Sequence, residues 1–125
     1  MCGIYGYYSD QYKHNKLDVF KKIGKSLRHR GPDHEGEYVD GEIALGIQRL
    51  SVIDPEKGNQ PIFSNNNSLV IVHNGEIYNY KSLRKKLESK GYHFQTNTDT
   101  EVIVNMYQEM GPACLHDLNG MFAFA

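Results

Sequence analysis

The apolar positions of this 125-residue chain change their spacing several times, and each change predicts an element. Residues 3–8 are rich in aromatic side chains and favour a strand. Over residues 16–28 apolar residues recur at three- and four-residue spacing, which predicts a helix capped by Asn15. The apolar face of this helix consists of Leu17, Phe20, Ile23 and Leu27. Residues 30–36 contain Gly and Pro and predict a loop, and residues 42–50 partly alternate and predict a strand.

The middle of the chain contains the clearest strand signal. Residues 69–73 form a short aliphatic run, led in by a polar segment at 64–68 that predicts a hairpin turn. Asn74-Gly75, a common turn pair, is expected to end this strand. A helix is predicted over residues 80–90, with Asn79 as its cap.

The last third of the chain predicts a short strand, a helix and a final strand. The short strand is expected around residues 93–95. Thr98 and Glu101 fit a capping box at the start of the next helix, which Gly111 ends. Residues 121–125 have the composition of a buried strand. This mixture of elements, without strict alternation of strands and helices, predicts an α+β fold.

Composition removes several functional classes. With 14 basic and 15 acidic residues the net charge is -1, so the composition does not indicate a basic surface that would bind nucleic acid or an anionic membrane. The longest apolar run, residues 121–125, is far shorter than a membrane span. The N-terminal residues do not have the pattern of a signal peptide. Two cysteines make no disulfide framework. We therefore expect one globular, reduced, cytoplasmic domain.

Cys2 is the most informative single residue. A small residue after the initiator Met1 permits removal of that methionine, which would make Cys2 the first residue. Its α-amino group, with an ordinary pKa of about 7.7–8.0, could then act as a base for its own thiol. The alternative is a cysteine without a function beside an ordinary strand. Cys114 is expected to be structural.

Five further residues could complete a site for an amino-acid substrate. Asn74-Gly75 offers a side-chain amide and a backbone N–H to an oxyanion, or else forms a plain turn. Arg49 could bind a carboxylate, while Glu76 and Asp99 could bind an ammonium group. Taken singly, Arg49 also fits a surface ion pair, Glu76 a solvated turn, and Asp99 the first turn of a helix, where the helix dipole favours an acid.

The sequence shows no pattern of a metal or nucleotide site. The six histidines include no HxH or HxxxH pair, and no cysteine lies at ligand spacing beside them, so no metal is expected. The glycines match neither a phosphate loop nor a dinucleotide fingerprint. We therefore expect no cofactor in this chain.

Seven short motifs occur in order from the first residue to the last. They are residues 1–4 (MCGI), 28–33 (RHRGPD), 49–54 (RLSVID), 58–62 (GNQPI), 74–79 (NGEIYN), 98–101 (TDTE) and 120–125 (GMFAFA). Each motif alone is weak, but the ordered set is specific. It resembles the N-terminal glutaminase domain of glutamine-hydrolysing asparagine synthetases, which are class II glutamine amidotransferases.

The resemblance implies a fold and a nucleophile. The fold would be the αββα sandwich of N-terminal-nucleophile hydrolases. Met1 would be removed, and Cys2 would attack the side-chain amide of glutamine with its own α-amino group as base. Asn74 and Gly75 would form the oxyanion hole. Water would then resolve the thioester to glutamate.

The resemblance also implies how glutamine is held. Arg49 would bind its α-carboxylate, with backbone groups of Leu50 and Val52 nearby. Glu76 and Asp99 would bind its α-ammonium group.

The ammonia acceptor would lie outside these 125 residues. In the whole family enzyme, ammonia passes to a synthetase domain, where ATP with magnesium activates aspartate and asparagine forms. We therefore expect residues 1–125 to be a partial glutaminase domain, truncated at its C-terminal end and poorly stable alone. The alternatives are a non-catalytic amino-acid-binding fragment, or a sibling amidotransferase with another acceptor.

The chain departs from the usual family pattern at residues 47–48, before Arg49, and at His73, before Asn74. Both departures flank motif residues rather than replace them. They are expected to affect substrate positioning, not the chemistry.

Overall fold

A computed structural model describes residues 1–9 and 16–125 as two layers of strands between helices. The strands are β1 (Gly3–Tyr8), β2 (His34–Asp40), β3 (Ile43–Arg49), β4 (Ile62–Phe63), β5 (Val70–Ile71), β6 (His73–Ile77) and β7 (Gly120–Phe124). The helices are α1 (Lys16–Ser26), α2 (Tyr80–Ser89) and α3 (Asp99–Met110), with short 3-10 helices at Arg28–Arg30 and Gly111–His116. The predicted cap Asn15 lies outside the described residues.

The layers follow the order helix, sheet, sheet, helix. An antiparallel sheet of order β1-β3-β2 packs against α1. The hairpin β4-β5 and the antiparallel pair β6-β7 form the second layer, which packs against α3, and α3 packs against α2. Ile4 and Leu45 of the first layer share a groove with Val72 and Ala125 of the second, so the two layers face each other.

Each layer has its own hydrophobic core. The larger core lies between the second layer and the helices α2 and α3, and includes Ile77, Leu83 and Leu87. The smaller core joins α1 to the first sheet and is centred on Tyr5 and Phe20, whose ring centroids lie 4.8 Å apart. The helix predicted over residues 80–90 is confirmed as α2, and its two leucines, Leu83 and Leu87, are buried.

The predicted face of α1 is partly wrong. Leu17 and Ile23 are exposed, whereas Phe20 and Gly24 are buried. Gly24 is buried because the ring of Tyr5 lies directly against it, where a Cβ would overlap the ring. The glycine therefore sets which side of the helix faces the sheet.

Three strand predictions need correction. The predicted loop at 30–36 gives way to β2 at His34, because β2 pairs with β3 along its whole length. The strand expected at 93–95 is absent, and this segment is held by side chains, among them the guanidinium of Arg84 at 4.5 Å from the centroid of the Phe94 ring. Asn74-Gly75 does not end a strand, because both residues lie inside β6 opposite β7.

The helix caps are partly as predicted. The Thr98 hydroxyl accepts the backbone N–H of Glu101, but the Glu101 carboxylate accepts from Gln95 and Thr96 instead of completing a capping box. Asn79 occupies the cap position of α2 without a capping hydrogen bond. Its side chain instead joins α2 to the segment before β7.

Tyr5 occupies a slot made by two glycines on different elements. Its ring lies against Gly24 of α1 and Gly46 of β3, and its hydroxyl donates to Glu37 at 3.4 Å. Burial, followed by the charge of Glu37, raises the pKa of Tyr5 to about 12. The slot therefore holds a neutral phenol.

We predict that Gly46→Ala destabilises the protein by about 1–3 kcal/mol, because the new methyl group would overlap the Tyr5 ring. Urea unfolding measures the change. In a Tyr5→Leu background the penalty of Gly46→Ala should shrink, since the ring is gone. An equal penalty in both backgrounds would contradict this account.

Candidate functional site

A cavity of about 220 Å³ opens where the ends of several elements meet. Its walls come from the amino terminus, the end of β3 with the following loop, β6 and the first turn of α3. The cavity brings together all eight residues that the sequence predicts for a site. They are Cys2, Arg49, Leu50, Val52, Asn74, Gly75, Glu76 and Asp99. A thiol, a guanidinium group, two carboxylates and an amide thus surround one space.

The thiol of Cys2 lies against the backbone of Leu50. The Leu50 N–H donates to Sγ over 3.4 Å, and the thiol donates to the Leu50 carbonyl oxygen over 3.7 Å. Met1 also lines the cavity and is 64 % exposed. Removal of Met1 would therefore place the α-amino group of Cys2 beside the cavity without disturbing either core.

Arg49, the last residue of β3, is 3 % exposed and holds the loop that follows it. Its Nη1 donates to Oδ1 of Asn59 at 2.9 Å and to the Pro55 carbonyl at 3.4 Å. Its Nη2 donates to the carbonyls of Ile53 at 2.7 Å and Asp54 at 3.0 Å. No carboxylate in the described part of the chain forms an ion pair with this guanidinium. A buried cation without a counter-ion is costly, so the cavity suits an anionic ligand group.

Two carboxylates line the same cavity. Asp99 begins α3 and is 4 % exposed, and its Oδ2 accepts the backbone N–H of Ile77 at 2.9 Å. Glu76 is half-buried in β6, and its carboxylate forms no hydrogen bond or ion pair with any described residue. Two acids without a cationic partner suit an ammonium group.

One edge of β6 is paired by side chains instead of by a strand. The N–H groups of Val72 and Tyr78, both even-numbered, donate to the segment that contains β7. Successive residues of a strand direct their backbone groups to opposite edges, so the odd-numbered residues of β6 direct their N–H groups away from β7. There the His73 N–H donates to Oε1 of Gln60 at 2.6 Å, and Ile77 donates to Asp99. The N–H of Gly75, between them, is directed to the same edge, at the cavity.

Gly75 is required by the close approach of β7. Its φ is 151°, and a Cβ would overlap the Met121 carbonyl oxygen and lie 2.6 Å from the Cα of Phe122. Any side chain at position 75 would therefore push β6 and β7 apart.

The sequence assigns no role to two polar residues that organise this wall. Gln60 holds both backbone groups of His73, because its Nε2 also donates to the His73 carbonyl at 3.2 Å. The same Nε2 donates to Oγ1 of Thr100 at 3.3 Å, and Thr100 Oγ1 lies 3.0 Å from Nδ1 of the His73 ring. The only feature of the sequence that pointed to Gln60 and Thr100 was their position in the motifs at 58–62 and 98–101.

His73 is the buried titratable group of this wall. It is 2 % exposed, and its Nε2 is buried without a hydrogen-bond partner among the described residues. Burial lowers the pKa of His73, and the negative charge of Asp99 opposes this effect without overcoming it. The ring is therefore neutral near pH 7.

We predict that His73 makes stability fall as the pH drops below about 6.5. The unfolded histidine has an ordinary pKa near 6.5 and takes up a proton before the folded one does, so acid favours the unfolded chain. Urea unfolding at pH 7.5, 6.5 and 5.5 should show a smaller decrease for His73→Asn than for the wild type. His93→Asn, which replaces an exposed histidine, should keep the wild-type decrease. Equal slopes in both variants would refute the role of His73.

Other reactive groups lie outside the cavity. Cys114 is buried in the larger core, and burial raises the pKa of its thiol. Among residues 1–9 and 16–125, no group of three or more His, Cys, Asp or Glu could hold a metal ion. No helix in the described ranges is long and apolar enough to cross a membrane.

Comparisons with known proteins identify the family of this chain. The family model of the glutamine amidotransferase domain matches residues 1–125. Asparagine synthetase B [glutamine-hydrolyzing] of Escherichia coli is 42 % identical over 128 residues, covering 100 % of this chain and 23 % of that protein. Asparagine synthetase [glutamine-hydrolyzing] 1 of Arabidopsis thaliana is 43 % identical over 126 residues, covering 99 % of this chain and 21 % of that protein. The chain spans about a fifth of the length of these relatives.

A solved structure shows the same fold. Glutamine phosphoribosylpyrophosphate amidotransferase from B. subtilis, complexed with ADP and GMP, matches 98 % of this chain and 34 % of its own, with a TM-score of 0.72 and 25 % identity. The expected N-terminal-nucleophile hydrolase fold, a class of α+β protein, is thereby confirmed. The chain belongs to the glutamine amidotransferase domain family.

Proposed function

We propose that this protein hydrolyses the side-chain amide of glutamine, with Cys2 as the nucleophile. The observation that carries the proposal is the set of groups around one cavity: a thiol, an unpaired buried guanidinium and two carboxylates without a cationic partner. Glutamine presents the complementary groups, namely a carboxylate, an ammonium and an electrophilic amide.

The binding roles follow from charge. Arg49 binds the α-carboxylate, and Asp99 and Glu76 bind the α-ammonium group. Backbone groups of Leu50 and Val52 complete the wall beside the substrate. The loop carbonyls that hold Arg49 fix its guanidinium before substrate arrives, so little side-chain entropy is lost on binding.

The chemistry starts once Met1 is removed. The α-amino group of Cys2 takes the thiol proton, and Sγ forms a bond to the amide carbon of glutamine. The carbonyl oxygen becomes an oxyanion, which the Gly75 N–H and the Asn74 side-chain amide stabilise. The amide nitrogen accepts a proton and leaves as ammonia, which breaks the carbon–nitrogen bond. Water then attacks the thioester, releasing glutamate and restoring the thiol.

We further propose that the ammonia serves asparagine synthesis in the cytoplasm. Identities of 40–43 % to asparagine synthetases support this acceptor. The described residues offer neither a phosphate loop nor an acidic cluster for magnesium, so ATP, magnesium and aspartate would bind in a separate synthetase domain. The structural likeness to a phosphoribosylpyrophosphate amidotransferase favours a sibling enzyme with another acceptor as the second candidate.

A glutamine analogue with an electrophilic ketone in place of the amide tests the nucleophile. Intact-mass measurement should show loss of one methionine and addition of one analogue per chain. Cys2→Ala should give no adduct. Cys114→Ala should still give one, because that thiol is buried away from the cavity.

The outcomes separate the alternatives. Retained Met1 with an unreactive Cys2 would refute the proposed nucleophile. Glutamine binding without turnover would support the amino-acid-binding fragment instead.

We predict that Asp99→Asn raises the KM for glutamine by roughly 10- to 100-fold, the effect of one lost charged hydrogen bond. The amide oxygen of asparagine can still accept the Ile77 N–H, so the fold is preserved. Steady-state kinetics with glutaramate, which lacks the α-ammonium group, provides the control. The ratio of wild-type to variant KM should be near one for glutaramate, and an equal loss for both substrates would contradict the assignment.

A further inference from the structure

The guanidinium and the buried carboxylate of the cavity come from different parts of the fold. Arg49 ends β3 in the first layer, whereas Asp99 begins α3, which packs against the second layer. A ligand that contacts both side chains at once requires a fixed distance between them. The side chain of Asp54 connects the loop around Arg49 to the segment before Asp99.

Asp54 belongs to the loop that holds the Arg49 guanidinium. Its carbonyl oxygen accepts from Nη2 of Arg49 at 3.0 Å and from the Gly58 N–H at 2.9 Å. Its Oδ1 accepts the Lys57 N–H at 3.2 Å. The φ of Asp54 is 48°, a left-handed conformation that Gly, Asn and Asp adopt most readily. Asp54 therefore turns the loop so that its carbonyl faces the guanidinium.

The second carboxylate oxygen of Asp54 reaches the segment before α3. Oδ2 accepts the backbone N–H of Asn97 at 2.9 Å, across 43 positions of the sequence. Asn97 is followed by Thr98, whose hydroxyl caps α3, and then by Asp99. The Glu101 carboxylate accepts two further N–H groups of this segment and so fixes it to the helix. Asp54 is thereby linked to the start of α3.

The same two parts of the chain also meet at Gly58. A Cβ on Gly58 would lie 2.6 Å from Nη2 of Arg49 and 2.6 Å from Cγ2 of Thr98. The guanidinium and the cap of α3 therefore approach each other across a residue without a side chain. The two N–H groups that the Asp54 carboxylate accepts, first that of Asn97, lower its pKa, so Asp54 is charged near pH 7.

We propose that Asp54 is a positioning residue that fixes the distance between Arg49 and Asp99, which makes the cavity selective for substrates with both a carboxylate and an ammonium group. The Asp54 carboxylate takes no part in the reaction. A substrate with a single charged group contacts one of the two sites, so the distance between them does not affect its binding. The inference rests on the proposed function, because it concerns the same glutamine cavity.

Hydrolysis of three amides tests the proposal. Glutamine carries both charged groups, glutaramate lacks the ammonium, and 4-aminobutanamide lacks the carboxylate. Asp54→Gly removes the side chain and adopts a φ of 48° without strain. Its kcat/KM for glutamine should fall about tenfold, through a higher KM, because the two sites no longer match the spacing of the substrate. The values for the other two amides should fall by less than about threefold.

Glu56→Gly is the matched control. It removes the same charge from the same loop and adds similar backbone freedom, but the Glu56 carboxylate forms no hydrogen bond or ion pair with any residue that the structure describes. Its kcat/KM for glutamine should stay within about twofold of the wild-type value. A fall as large as that of Asp54→Gly would overturn the proposal, because loosening of the loop would then explain the effect.

Two further variants separate the distance from the stability of the loop. In an Asp99→Asn background the charge at α3 is lost, so Asp54→Gly should lower the kcat/KM for glutamine by less than about threefold. Asp54→Asn keeps one acceptor oxygen and accommodates the left-handed φ, so it should fold and show a smaller fall with the same preference against glutamine. A full tenfold fall in the Asp99→Asn background, or an equal loss for glutamine and glutaramate in Asp54→Asn, would overturn the positioning role.

The outcomes keep this inference apart from the proposed function. A wild-type protein without Met1 that releases no ammonia from glutamine would overturn the proposed function, and this inference with it. Normal glutamine turnover, with equal losses for glutamine and glutaramate in Asp54→Gly, would overturn this inference alone.

Discussion

The site depends on one edge of β6 that no strand in the described part of the chain covers. Antiparallel pairing with β7 uses the backbone groups of alternate residues and directs the others toward the cavity. Gln60 and Asp99 take the N–H groups at the two ends of this edge. The N–H of Gly75 is left between them, on a backbone that is hydrogen-bonded on both sides and therefore rigid. A rigid donor at an unpaired edge is what stabilisation of a transient oxyanion requires.

The charged side chains of the cavity are also held in place by neutral hydrogen-bond partners. Their charges therefore remain able to bind a charged ligand. Arg49 is held by carbonyl oxygens and one amide, so its position is fixed without a direct ion pair to a described carboxylate. Asp99 is held by a backbone N–H at a helix start, where the helix dipole also favours a negative charge. An ion pair between two such residues would have satisfied both and left neither for a ligand.

The sequence predicted the members of the site better than the local structure around them. Ordered motifs picked out eight residues that the fold brings to one cavity, and periodicity identified the helices. Asn74-Gly75 was expected to form a turn because local preference favours one. It lies in a strand because of β7, more than 40 residues later, and a local pattern carries no information about such a contact. Gln60 and Thr100 were missed for the same reason, since Gln60 holds the distant backbone of His73 and Thr100 contacts the side chains of Gln60 and His73.

The side chains on the open edge of β6 have a consequence for solubility. An uncovered strand edge is a template on which a strand from another molecule can add, and proteins block such edges in various ways. Here Gln60 occupies the backbone groups of His73 and Asp99 occupies that of Ile77, so a foreign strand would find only isolated bonding positions. The residues that shape the cavity thus also protect the molecule against edge-to-edge association.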